Sequence, residues 1–239
     1  MIKVKKCPKH LLDVLDFTKF EKISIYKNGV YLKAKEKIFY VSHFENLNAL
    51  SIQVDKSALE QIKLGGNLQR LNFIIDGDTT VVDLHFPKIV DKIPLNILKE
   101  TIESKNPITG LNGKNESLIN NSAFLEKINP LINPNEIIGR GLGLTPSGDD
   151  ILIGILFVLF SKGKEQQVDK IKLEASLSRT NDISREFLQY ALKGIFSESL
   201  LELLGTDNID QSVNCILSTG HTSGADSLLG IHYGINNII

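Results

Sequence analysis

The sequence predicts an α+β protein: a β-rich N-terminal domain, meander or small barrel-like, followed by a mostly α-helical domain. Three observations carry this expectation. Short β-branched and aromatic segments separated by turn dipeptides fill the first hundred residues. Apolar residues at helical spacing fill the second half. Between them, residues 106–121 are rich in Asn, Gly, Ser and Pro, the composition of a loop or linker. The expected division is 1–105 for the β-rich domain, 106–121 for the linker and 122–239 for the helical domain.

Residues 23–27 and 30–34 read as strands around Asn28-Gly29, a dipeptide that tolerates positive φ and favours a two-residue type I′ hairpin. Residues 37–42 and 50–54 continue as strands. Residues 71–75 and 79–86 flank Asp76-Gly77-Asp78, a second hairpin signal. Residues 56–64 read as a short helix stopped by Gly65-Gly66. The number of strands and the short turns suggest closure into a barrel. A helix is expected over 94–104. The 106–121 stretch is expected to be a loop able to cover a site. In the second half, helices are expected over 148–160, 165–178, 183–196, 200–204, 209–217 and 224–235.

Bulk properties narrow the function. A net charge of −1 gives no global basic field for nucleic acid or an anionic membrane. Lys3, Lys5, Lys6 and Lys9 cluster as the basic tip of a terminal element. Cys7 and Cys215 form no C-x-x-C pair and lack histidines at zinc-ligand spacing, so neither a disulfide framework nor a structural zinc site is expected. The longest apolar run, 151–160, is too short to span a bilayer and fits a core helix. A cytoplasmic location is expected, with neither nucleic acid nor membrane as partner.

The chemistry concentrates in two similar segments. The first is Gly143-Leu144-Thr145-Pro146-Ser147-Gly148-Asp149-Asp150, running on to Gly154; Gly139, Arg140 and Gly141 precede it. The second is Gly220-His221-Thr222-Ser223-Gly224-Ala225-Asp226, running on to Gly230. With Pro146 dropped as a gap they align as G-x-T-S-G-x-D-x-L-x-G. Each reads as a loop turning into a helix, with Thr145 and Thr222 as N-caps and Pro146 at the first helical position. Helix N-termini present free N–H groups and the positive end of the dipole, and so bind anions. Gly141, Gly143, Gly148 and Gly224 allow backbone or ligand to come close, and Thr145, Ser147, Thr222 and Ser223 add hydroxyls. If the two termini converge, they form a pocket suited to a phosphate or carboxylate. Gly154 and Gly230 would let the two following helices pack closely.

Individual residues carry two readings each. Ser, Thr and Asp at helix starts are ordinary caps, and that alone explains either copy taken singly. Asp149 and Asp150 are placed to hold Mg²⁺ or to brace the loop by accepting backbone N–H bonds. Asp150 and Asp226 are candidate catalytic carboxylates. Arg140 is a candidate clamp for a carboxylate or phosphate. His221 is a candidate acid, base or phosphate donor. His85 and His232 read as structural. Thr180 and Ser184 read as caps of the next helix within reach of the same pocket. A P-loop is excluded because Asp149 and Asp150 stand where Lys and Ser/Thr are required. A serine-hydrolase elbow is excluded because Ser147 lacks the G-x-S-x-G frame.

The run Gly139 to Asp150, followed by Gly220 to Asp226, resembles the AllH-like proteins; the similarity covers roughly residues 137–234 and is specific in the two motifs. The resemblance implies a subunit of oxamate carbamoyltransferase in allantoin catabolism. That enzyme interconverts oxalurate plus phosphate with oxamate plus carbamoyl phosphate, and its setting includes partner subunits of other types. Two other functions stay open on the residues: a non-catalytic anion- or nucleotide-binding subunit, and an Mg²⁺-dependent enzyme acting on a phosphorylated metabolite.

Overall fold

A computed structural model describes residues 1–16, 19–65, 68, 71–88, 94–111, 116–141 and 143–238. Its fold class is α+β: an N-terminal mixed sheet precedes a helical C-terminal region. The chain divides into two compact units, Met1–Leu84 and His85–Ile239.

The first unit holds strands β1 (Ile2–Pro8), β2 (Glu21–Tyr26), β3 (Gly29–Ala34), β4 (Lys37–Ser42), β5 (Ser51–Val54), β6 (Phe73–Ile74) and β7 (Thr80–Val82), with helices α1 (Leu12–Leu15) and α2 (Lys56–Leu64). β2, β3 and β4 form the expected antiparallel meander. β5 then runs parallel to β4, and β1 inserts between β5 and β6. Among the described residues no pairing joins β2 to β6, so the sheet is open and not closed into a barrel.

Both hairpin signals need correction. The first hairpin is present, but its two-residue loop is Lys27-Asn28, with Tyr26 opposite Gly29. Neither loop residue has positive φ, so the turn is not type I′. Gly29 is in the strand instead, where the Tyr40 ring packs against it: a Cβ there would lie 2.2 Å from the ring. At Asp76-Gly77-Asp78 the turn forms, with Asp76 Oδ1 accepting the Asp78 N–H at 3.0 Å. The flanking strands do not pair with each other; β6 and β7 both run parallel to β1. The hydrophobic pattern marks strands well, but partner choice rests on non-local packing. Leu64 ends α2, with Gly65 as C-cap; Gly66 lies outside the described residues. Buried Phe39 and Phe73 meet Phe20 edge to face and fill the core of this unit with Val30, Leu32 and Ile52.

The second unit contains α3 (Leu95–Lys105), the small hairpin β8 (Ile108–Thr109) and β9 (Glu116–Ser117), α4 (Leu118–Ile128), α5 (Ser147–Ser161), α6 (Lys170–Ser176), α7 (Asp182–Leu192), α8 (Glu198–Leu201), α9 (Ile209–Leu217) and α10 (Ser223–Asn237). The 106–121 stretch thus contains a short hairpin and the start of a helix. The segment 165–178 is a shorter helix than expected, flanked by 3-10 turns. α5 is buried along nearly its whole length, as its uniformly apolar sequence requires, and packs against α10. No helix among the described residues is long and apolar enough to cross a membrane.

Candidate functional site

The two motifs form the first turns of α5 and α10, and the structure brings them together. Gly154 and Gly230 permit this. A Cβ on Gly154 would lie 2.1 Å from the Ser227 carbonyl oxygen, and one on Gly230 would lie 2.0 Å from that of Ile151. Each helix therefore presses a glycine onto the other's backbone, one to two turns inside its own N-terminus. The relation is reciprocal and continues at the helix starts. A Cβ on Gly148 would lie 1.9 Å from the Ile137 oxygen, and one on Gly224 would lie 1.9 Å from the Ile216 oxygen. Gly148 donates its N–H to Arg140 at 2.8 Å, and Gly224 donates to Thr219 at 3.1 Å. The helix starts thus correspond without a gap, Gly148 to Gly224 and Gly154 to Gly230, while the loops before them differ in length.

That correspondence corrects the capping scheme. The N-caps are Pro146 and Thr222, and neither makes a side-chain cap bond. Thr145 lies one residue before the cap, and its hydroxyl meets Ser223 Oγ at 3.2 Å. Two further expectations change. Gly148 and Gly224 accommodate neighbouring backbone, and their N–H groups already have carbonyl partners. The N–H groups of Ser147 and Ser223, the first of each helix, have no partner among the described residues. The loop glycines Gly139, Gly141, Gly143 and Gly220 all adopt positive φ, and at Gly141 and Gly143 the angle lies where only glycine is unstrained.

The carboxylates are all buried and are not alike. Asp149 Oδ1 accepts the Gly139 N–H at 2.8 Å, and its Oδ2 accepts the hydroxyls of Thr180 and of Ser184, the latter at 2.7 Å. Both its oxygens are thereby engaged in bracing the glycine loop onto the start of α7. Thr180 serves that brace; the N-cap of α7 is Asn181. Asp149 and Asp150, adjacent on a helix, point in different directions. The three donors on Asp149 are those of a loop brace, the second of the two readings of this pair. No group of three or more metal-ligating side chains occurs among the described residues.

Asp150 and Asp226 are crossed between the helices. Ser223 of α10 donates to Asp150 Oδ2 at 2.6 Å. Ser147 of α5 stands by Asp226, with Thr222, and Asp226 Oδ1 accepts the Gly110 N–H at 2.9 Å. Burial pushes Asp150 well above the ordinary carboxylate range; the Ser223 hydroxyl opposes this, and the nearby Asp226 charge adds to it. Burial also raises Asp226, against the Gly110 N–H and the Ser147 and Thr222 hydroxyls. An Asp226 charge near Asp150 disfavours ionisation of both acids together.

The remaining candidates lie at the margin. His221 is exposed on the loop before α10. Arg140 stacks on the Phe124 ring, 4.5 Å from its centroid. His232 is buried and bonds Glu103 at 2.9 Å and Ser122 at 3.3 Å, as a structural histidine would. His85 makes a backbone bridge to Ile195. Cys7 is buried, and burial pushes its thiol up to about 11. Gly110 is the site residue that sequence reasoning did not single out. Its only signal was its place in the stretch expected to cover a site.

Residues 137–235 match the family model described as oxamate carbamoyltransferase subunit AllH. The matched segment holds both motifs. No solved structure matches the chain.

Proposed function

We propose, from the match of residues 137–235 to the AllH family model, that this chain is a subunit of an oxamate carbamoyltransferase and that it acts with partner subunits on small anions of allantoin catabolism. The observation that carries the reading is the meeting of two helix N-termini, with Ser147, Ser223, Thr145 and Thr222 hydroxyls between them. The free N–H groups of Ser147 and Ser223 and these hydroxyls bind a phosphate or carboxylate oxygen, aided by both helix dipoles. Gly141 and Gly143 shape the loop around it, and Arg140, at its edge, adds positive charge.

In the reaction, a phosphate oxygen attacks the terminal carbamoyl carbon of oxalurate. The carbon–nitrogen bond to the oxamate half then breaks, giving carbamoyl phosphate. The proton leaving phosphate ends on the oxamate nitrogen, and His221, exposed at the loop, carries it. The tetrahedral oxyanion formed on the way is stabilised by fixed N–H donors. Burial raises Asp150 and so favours its protonated form, which can donate a hydrogen bond to the substrate; Asp226 is the neighbouring acceptor.

The test is phosphate-dependent cleavage of oxalurate by the chain assembled with its partner subunits. His221→Ala should lower kcat by about 10²- to 10⁴-fold, the usual range for a lost general acid–base. Full activity in both His221→Ala and Asp150→Ala would sink the site assignment.

A further inference from the structure

Asp226 is fully buried, yet its Oδ2 makes no hydrogen bond of good geometry among the described residues, although the Ser147 and Thr222 hydroxyls stand near this carboxylate. Gly110 lies directly over it. A Cβ built on Gly110 would stand 2.6 Å from Ser147 Oγ, 3.0 Å from Thr222 Oγ1 and 3.6 Å from Asp226 Oδ2. One glycine therefore covers this carboxylate oxygen and two hydroxyls where two helices begin. Buried carboxylate oxygens are costly to leave unpaired, and such an atom marks a place where a donor from outside belongs.

We propose that Asp226 Oδ2 accepts an N–H of the ligand, that the ligand is an amide- or ureido-bearing acid, and that Gly110 is the positioning residue that holds Asp226 for it. This rests on the carbamoyl-transfer reading above and adds the basis of its selectivity. Asp226 Oδ1 accepts the Gly110 N–H, which favours the ionised, accepting form of this carboxylate. A carboxylate accepts and cannot donate. It therefore separates two ligands of the same shape: oxamate offers an NH₂ where oxalate offers a negative oxygen.

Calorimetric titration of oxamate and oxalate into the full chain, and into the chain assembled with its partner subunits, tests this at neutral pH. Oxamate should bind at least about tenfold more tightly, a ratio worth about 1.4 kcal/mol, as a charge-assisted hydrogen bond supplies. Asp226→Asn keeps a carbonyl oxygen for the Gly110 N–H but presents an NH₂ to the ligand, so the ratio should fall to about one or invert. Gly110→Ala should weaken both ligands and leave the ratio unchanged, because the added methyl displaces Ser147; no effect on either ligand removes the role given to Gly110. Equal affinities in the wild type, tighter oxalate, or an unchanged ratio in Asp226→Asn overturns the assignment of Asp226. If Asp226→Asn loses its cooperative melt, the wild-type ratio decides alone. Equal binding of both ligands leaves the carbamoyl-transfer reading standing, whereas binding of neither, in both preparations, removes that reading as well.

Discussion

Three aspartates within two short motifs take three different jobs, and hydrogen-bond partners decide which. Asp149 meets three donors and is a brace. Asp150 accepts the Ser223 hydroxyl at the buried helix crossing. Asp226 accepts a backbone N–H at one oxygen, while its other oxygen makes no hydrogen bond of good geometry among the described residues. The raised pKa of Asp150 makes stability depend on pH in a definite direction. Well below pH 3.8, folded and unfolded chains both hold this proton. As pH rises, the unfolded chain releases it first while the folded chain keeps it. The folded state then binds more protons, and stability falls with rising pH until the native group ionises. Urea midpoints measured from about pH 4 upward should decline in the wild type, and Asp150→Asn should flatten that decline. A slope unchanged by the substitution would assign the proton elsewhere.

At the scale of elements, α5 and α10 begin alike and press glycines onto each other's backbone. The repeated glycines are legible in sequence as close approaches. What approaches them is backbone: Ile137 and Ile216 at the helix starts, Ser227 and Ile151 at the crossing. A methyl group added to Gly148 or Gly224 would press on a carbonyl oxygen that cannot rotate away. Gly148→Ala and Gly224→Ala should each destabilise by roughly 3 kcal/mol, the upper range for overpacking. The two should cost similar amounts because their surroundings match. Chemical denaturation would check this, and a neutral effect at either position would break the equivalence of the two motifs. Thr145 shows where sequence alignment of the motifs goes astray. A gap at Pro146 makes Thr145 look like Thr222, yet backbone geometry pairs Pro146 with Thr222 as caps.

Across the whole chain, the contiguous helical core runs from Leu98 to Ile238 and lies wholly within the second unit. A core of that extent, closed around α5, is sufficient for independent folding. Residues 85–239 made alone should retain a cooperative thermal transition with helical circular dichroism; a gradual, non-cooperative melt would show that the unit needs the sheet. The α+β class, the helical second half and the concentration of glycine, hydroxyl and aspartate residues in two motifs are legible along the chain, because period and composition are local properties. The strand order, which inserts β1 between β5 and β6, the different partners of Asp149, Asp150 and Asp226, and the place of Gly110 beside Asp226 emerge only on folding. Strand partners, burial and hydrogen-bond partners come from residues far apart in the chain. The Gly110 N–H and Asp226 meet across more than a hundred residues, and no local spacing encodes that meeting.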